Sequence, residues 1–448
     1  MTRGLIEMNW KRYAFGMMST VMAVSLTACT TTKEAAPSAS AESKSTTPAK
    51  PQEMTFVSWS SEETTGKSII QDGMVGSWNK KETAFPIKTV GYPWDKSLEQ
   101  IILKSQAKQD MDIAQVDITW FNTLNKMGVM VDLNTLLDPQ WIKDNFDEAA
   151  LKAGQVDGKQ YALPWTVAAI SMLYNPVITE KAGITGVPAT LQQFEEALAK
   201  VKASNPDVIP YAAMTKNGAN ISQDFQTWLW TNGGSVFDAS GNVTINNDKG
   251  VQTLTWFKGL FDKGYIKMDI DRVEARNLFS QNKVAFYDDS IVARGFQVSK
   301  GISDADMPKH LVPMPRPVAK EGDKQQAKLW GHYLMVSKDS KNPKKAAEFI
   351  KSILTDQELA IKYFKSASTP PVIKKIADLP EVKNDAYTTG YLKIAASSKA
   401  GETEKYAQSK TMDQVISEEI QAALLNAKTP QKAMDDAAAR LKETLKKE

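Results

Sequence analysis

Cysteine is nearly missing: Cys29 is the only one among 448 residues. That excludes disulfides, thiolate metal sites and a cysteine nucleophile from the mature fold. Histidine is almost as scarce, with His310 and His332 alone, and they offer neither a His-x-x-x-His spacing nor a Ser-His-Asp set. No metal and no cofactor is expected. An excess of charge is also lacking. Fifty-five basic residues face 52 acidic ones, a net of +3, and the basic ones are scattered rather than clustered. Such a surface has no electrostatic footprint for nucleic acid, which is excluded as a partner. What remains is a chain too long for one ordinary core, with the 42% hydrophobic and 24% charged content of a soluble globular protein.

The first 52 residues read as export and tethering. Arg3, Lys11 and Arg12 precede an uncharged stretch at 13–28 carrying Met17, Met18, Val21, Met22, Val24 and Leu26. A positive start, a short apolar middle and small residues at the end form a secretory signal, and the middle is too short to span a bilayer. Leu26-Thr27-Ala28-Cys29 resembles the lipobox of bacterial lipoproteins, which implies cleavage before Cys29 and lipidation of it. Residues 30–52, rich in Ser, Thr, Ala, Pro and Lys, cannot bury enough surface to fold and read as a flexible tether.

From Met54 short apolar runs alternate with amphipathic segments. Strands are expected at 54–59, 85–92 and 111–116. Helices are expected at 64–80, behind an Asp95 cap, and through Trp120, Leu124 and Met127. This β-α-β-α-β order implies parallel strands with right-handed crossovers, and ligands then bind beyond the strands' carboxyl ends. SEETTGKS at 61–68 ends like a phosphate-binding loop, but Ser61 replaces the first glycine and two glutamates fill the loop, so no nucleotide site is expected.

Residues 161–175, YALPWTVAAISMLYN, form an uncharged stretch entered through Pro164, a buried strand needing cover on both faces. Helices follow behind Thr190, through Phe225, Trp228 and Leu229 up to Asn232-Gly233-Gly234, and from Asn247 or Asp248 through Leu254, Phe257 and Phe261 to Gly264. Residues 236–243 read as a hairpin. Residues 311–317 and 328–336 are strand-like, Pro343 opens a helix, and Thr355 with Glu358 makes a capping box. Two amphipathic helices close the chain.

Residues 232–266 (NGGSVFDASGNVTINNDKGVQTLTWFKGLFDKGYI), 278–288 (LFSQNKVAFYD), 330–354 (WGHYLMVSKDSKNPKKAAEFIKSIL) and 417–446 resemble extracellular solute-binding proteins of ABC importers, in the family that includes maltose-binding proteins. The resemblance covers nearly the whole mature chain. It implies a two-lobed α/β fold of the periplasmic-binding-protein kind (type II), each lobe a mainly parallel sheet flanked by helices, with crossover segments as hinge. The crossings are expected near Tyr161, Pro308 and Asp356. The domains are then 1–28 signal, 29–52 lipidated cysteine and tether, 53–163 with 308–357 as lobe 1, and 164–307 with 358–448 as lobe 2.

The expected function is a monomeric lipoprotein on the outer face of the cell membrane, held by Cys29, that captures a carbohydrate, in expectation an oligosaccharide, and delivers it to a membrane permease. Sugars present C–H patches beside hydroxyls and call for flat aromatic faces with Asp, Glu, Asn or Arg beside them. Eleven tryptophans meet the first need. The ligand-binding candidates are Glu62, Trp94, Asp117 and Trp120 from lobe 1, and Trp165 and Trp228 from the opposing wall. Asp288, Asp289 and Arg294 join them where sugar-binding relatives commonly carry Gly-Pro-Trp, with Trp330 and His332 from a loop that relatives often fill with glycines. Trp59 is assigned to core. Two other readings are a glycoside hydrolase using a carboxylate pair from Glu62, Asp117 and Asp289, and capture of a phosphodiester or another small polar solute.

Overall fold

The structure is a computed structural model and describes residues 50–447, so the export signal, Cys29 and most of the tether lie outside the described residues. Eleven strands occur among them. Nine make one sheet: β1 (Met54–Val57), β2 (Ile87–Val90), β3 (Ile113–Asp117), β6 (Leu163–Tyr174), β7 (Ile209–Ala212), β8 (Val284–Ser290), β9 (Val312–Met314), β10 (Ala327–Val336) and β11 (Ser398–Lys399). β4 (Gln155–Val156) and β5 (Lys159–Gln160) form a separate hairpin.

The path runs β2-β1-β3-β10-β6-β8-β7, with β9 on β6 and β11 on β10. Two separate sheets were expected, and the difference comes from two long strands. β6 pairs β10 from Leu163 to Ile170 and then β8 from Ile170 to Tyr174. β10 pairs β3 from His332 to Val336 and β6 from Lys328 to Leu334, all antiparallel, with a register shift at His332/Tyr333. Outside this pair the strands are parallel as expected: β1 with β2 and β3, and β7 with β8.

In the first half the pleat divides the strands between two cores. Met54, Phe56, Ile113, Leu334 and Val336 face the helix Pro343–Thr355, while Val57, Ala114, Val116 and Met335 face Leu98, Ile101 and Phe121. In the second half Met172, Tyr211 and Phe286 pack with Phe194, Trp228 and the closing helices Ser409–Leu424 and Pro430–Leu445.

Several boundaries move. The sequence puts the return to the first half near Pro308, but β9 pairs with Met172, Leu173 and Tyr174 and Val318 bridges Thr190, so the return is carried by β10. Residues 358–448 were assigned wholly to the second half, yet Ile361, Tyr363, Phe364, Ile373 and Val382 pack in the first-half core. A helix start reveals a stripe, not which core the stripe will meet. The expected helix at 64–80 is a wide-turned segment, Ile69–Val75, followed by the α-helix Gly76–Lys81. Pro93 rather than Asp95 precedes the helix Trp94–Gln106, and Asp356 rather than Thr355 caps Gln357–Ala367 through Leu359 N at 3.1 Å. Residues 236–243 keep a single bridge, Phe237 to Val243, of the expected hairpin.

Candidate ligand-binding site

The ends of β1 and β3 each turn into a short 3-10 turn, Trp59–Ser61 and Ile118–Trp120. Asp117 makes the second turn possible: its Oδ1 accepts from Thr119 N at 3.0 Å and Thr119 Oγ1 at 2.8 Å, while its Oδ2 accepts from Trp94 Nε1 at 3.1 Å. Rings then follow in series. Trp94 lies 5.8 Å from Trp120, Trp120 5.3 Å from Trp59, Trp59 4.8 Å from His332 and His332 4.4 Å from Trp330, centroid to centroid. Edge-to-face and tilted geometries at such spacings are favourable for aromatic pairs. Four of these five rings are buried, and Trp94 at the outer end is half-exposed.

His332 is central to this ladder. Gln115 joins three elements: its Oε1 accepts from Ser58 Oγ at 2.6 Å and Ser60 N at 3.3 Å, and its Nε2 reaches Ser60 Oγ at 2.9 Å and His332 Nδ1 at 3.2 Å. With Oε1 acting as acceptor, the amide nitrogen is the donor, so Nδ1 of the imidazole accepts and the ring carries its proton on Nε2. Burial, with the Arg276 charge acting in the same sense, depresses the histidine to about 3, so the ring is neutral at pH 7. Trp330, Gly331 and His332 were expected in a loop. They lie inside β10, and a Cβ on Gly331 would come within 2.9 Å of the Thr166 carbonyl.

The second half contributes a separate ion pair. Arg276, on the helix Arg272–Ser280, places Nε and Nη2 each 2.7 Å from the two carboxylate oxygens of Asp289 and lies 4.3 Å from the centre of the Phe296 ring. Glu63, just after β1, lies within the field of Arg276. Burial raises its carboxyl above the usual range, and Arg276 and the Ser60 hydroxyl pull it back down.

Trp94, Asp117, Trp120, Trp330 and His332 are thus brought together, with Trp59 added from the residues assigned to core. The other candidates separate. Glu62 points to the rim, 46% exposed, bonded to Lys67 at 3.1 Å and lying across Gly91, where a Cβ would meet its Cγ at 2.2 Å. Trp165 is buried in the first-half core, stacked on Tyr363 at 5.2 Å, because it shares the face of β6 that carries Leu163. Trp228 is 0% exposed, donates to Tyr211 Oη at 3.1 Å and lies beneath Arg316. Asp288 is equally buried, paired with Arg316 and Tyr211, since the pleat sends it to the face opposite Asp289. Arg294 is spent on Asp385 at 2.6 Å and Ser368 at 3.0 Å between the Phe364 and Tyr387 rings. Glu63 and Arg276 were missed; the signal for the arginine was its position one helical turn after Arg272, ahead of a strand ending in two aspartates.

No cluster of His, Cys, Asp or Glu that could hold a metal occurs among the described residues, and no helix among them is long and apolar enough to cross a membrane.

Two α/β halves joined by paired long strands, with side chains converging where the first-half strands end, define a type II binding-protein fold. The model of the bacterial extracellular solute-binding proteins matches residues 59–360, and the chain belongs to that family. An extracellular family makes it an exported protein. It is 27% identical over 323 residues to a probable ABC transporter-binding protein of Deinococcus radiodurans, covering 68% of this chain and 74% of that one. It is 26% identical over 392 residues to the arabinooligosaccharide-binding protein of Bacillus subtilis, covering 83% and 88%. Among solved structures, maltose-bound MalE3 of T. maritima superposes with a TM-score of 0.77 at 20% identity, over 88% of this chain and 99% of that one. The GacH receptor of Streptomyces glaucescens, solved unliganded and with acarbose, gives 0.77 at 19% identity, over 88% and 98%.

Proposed function

We propose that the chain is the substrate-binding subunit of an ABC importer and takes an oligosaccharide between its two halves. The ring ladder from Trp94 to Trp330 carries this reading: flat apolar faces lie beside the polar groups of Asp117, Gln115 and His332. Relatives that bind arabinooligosaccharides, diacetylchitobiose and maltotriose support a sugar of more than one unit. Cys29 would carry the lipid that holds a monomer at the outer face of the membrane, within reach of its permease.

Catalysis has little to work with. Asp117 is held by Thr119 and Trp94, Asp289 by Arg276, and Glu62 by Lys67, so none of the three carboxylates considered for hydrolysis is free to act as a pair. Capture of a phosphodiester is disfavoured as well, because Arg272, Arg276 and Arg316 are each neutralised by an aspartate.

The test is a panel of arabino-, malto- and chito-oligosaccharides, read by tryptophan fluorescence and calorimetry, with product analysis after long incubation. Saturable quenching and a fall in radius of gyration on binding are expected, with the sugar recovered intact. Sugar turnover, or no response to any carbohydrate, overturns the proposal.

A further inference from the structure

Residues 398–409 are held by both halves, and the two holds differ in kind. The second half holds them firmly. β11 pairs with β10 at Ala327 and Lys328, and the buried Lys328 Nζ lies 2.7 Å from Glu404 Oε1. Glu402 Oε2 accepts from the backbone N–H groups of Val236 and Phe237, each at 2.8 Å, and its Oε1 accepts from Trp230 Nε1 at 2.5 Å. The Glu402 N–H donates to Gln226 Oε1 at 2.8 Å, and Thr403 Oγ1 donates to the buried Asp413 at 2.9 Å. Tyr406 packs on Phe237 with ring centres 5.0 Å apart. Most of these bonds end on a charged group, the stronger class of hydrogen bond.

The first half holds the same segment by two neutral bonds. Asn122 Nδ2 donates to the Glu404 carbonyl at 2.7 Å, and Thr123 Oγ1 to the Ala407 carbonyl at 3.0 Å. Both side chains are half-buried on the helix Phe121–Lys126, which begins where the turn bearing Trp120 ends, beyond the carboxyl end of β3. If the halves part at that end, these two bonds break and the segment stays with the second half. A neutral bond shifts an equilibrium by about two- to tenfold, so the two together weight one arrangement by a factor on the order of ten or more. That is enough to set a population and too little to lock it.

We propose that residues 398–409 are a strap that latches the halves: its bonds to Asn122 and Thr123 draw the ligand-free protein toward the closed form and so set the affinity without touching the ligand. The apparent Kd is the intrinsic one divided by the closed fraction. Loss of either bond therefore raises Kd by the same factor for every ligand. The latch goes beyond the carbohydrate reading and holds whatever the cleft takes.

The full chain and its Asn122→Ala, Thr123→Val and Thr123→Ser variants would be compared by small-angle scattering without ligand and by calorimetry with maltotriose, arabinotriose and diacetylchitobiose. Thr123→Val keeps the shape and removes the donor, whereas Thr123→Ser keeps the donor. Asn122→Ala and Thr123→Val are each expected to enlarge the ligand-free radius of gyration, which returns to the wild-type value at saturation with a sugar that binds. Each should raise Kd about fivefold, equally for each sugar, and Thr123→Ser should stay within about twofold of wild type.

A wild-type ligand-free radius in both Asn122→Ala and Thr123→Val overturns the latch, as does tighter binding by either one. So do Kd values within about twofold of wild type for both, losses that differ more than about threefold between sugars, or a Thr123→Ser loss equal to that of Thr123→Val. The two single variants remove separate bonds, so either one decides if the other fails to fold. If wild type binds none of the three sugars, the carbohydrate reading falls by itself, and the ligand-free radii still decide the latch.

Discussion

The two halves hold the side chains near their strand ends by different means. The ladder of Trp94, Trp120, Trp59 and His332 in the first half, reaching Trp330 in the second-half cluster of Phe279 and Tyr287, is fixed by ring contacts and one glutamine network. In the second half β8 carries two adjacent aspartates near its end, each tied to an arginine: Asp288 to the buried Arg316 on one face, Asp289 to the part-buried Arg276 on the other. Arg272 with Asp224 at 2.9 Å completes the set. Ring packing tolerates loss of one member at a cost set by area. A buried ion pair that loses one member leaves a charge with no water and no partner. The second half should therefore be rigid but brittle, and the first half adaptable.

The largest expected effect tests the brittle side. Asp288→Ala strands Arg316 under Trp228 and should cost about 3–5 kcal/mol in unfolding free energy, measured by urea titration. A cost below about 1 kcal/mol would mean that the pair does not organise this half, and the contrast would collapse.

His332 and the buried carboxyls of the second half should respond to pH in opposite senses. Asp413, in the second half, accepts from Ser222 Oγ at 2.8 Å and Thr403 Oγ1 at 2.9 Å and is raised by burial to about 7. A carboxyl raised on folding contributes stability that is fully present below its unfolded value near 3.8 and is lost as pH rises through 7. Asp224, raised to about 6 by burial, acts in the same sense. His332, depressed from 6.5 to about 3, does the reverse: its contribution is present above 6.5 and is lost as pH falls toward 3. Each slope is at most about 1.4 kcal/mol per pH unit. Between pH 4 and 6 two carboxyls oppose one histidine, so wild-type stability should fall as pH rises, by at most about 1.4 kcal/mol per unit. Relative to wild type, Asp413→Asn should lose stability as pH falls across that window, and His332→Gln should gain it. Parallel curves for all three proteins would refute the assignment.

Much of this contrast was readable in the sequence, and the unreadable part has a definite cause. The parallel unit β1 to β3, the tryptophans beyond its strand ends and the Pro343 helix start all follow from local patterns. The assignment of side chains to faces does not. Asp288 and Asp289 are buried neighbours with the same chemistry, and only the register of β8 against β6, Met172 opposite Asp288 and Ser171 opposite Asp289, decides which face of the strand each occupies. Glu62 and Glu63 pose the same problem in a loop without any periodicity. Trp228 and Trp165 were expected at the cleft because they stood near element ends, whereas the packing of their own helix and strand turns them inward.

Trp94 tests the adaptable side. It is the half-exposed outer rung, so Trp94→Ala should cost little stability but lower affinity for the bound oligosaccharide about tenfold, roughly 1.4 kcal/mol. Unchanged affinity with normal folding would end the ladder at Trp120.

The smallest effect is expected at Glu62. Its pair with Lys67 is about half exposed on both sides, a setting in which an ion pair contributes less than about 1 kcal/mol. Its side chain lies across Gly91 and takes a second bond from Gln71 Nε2 at 3.2 Å, all on the outer rim of the first half. Glu62→Gln should therefore leave both melting temperature and sugar affinity unchanged. A clear loss of affinity would mean that the loop after β1 presents this carboxylate to the ligand, and that the first half reads its sugar with charge as well as rings.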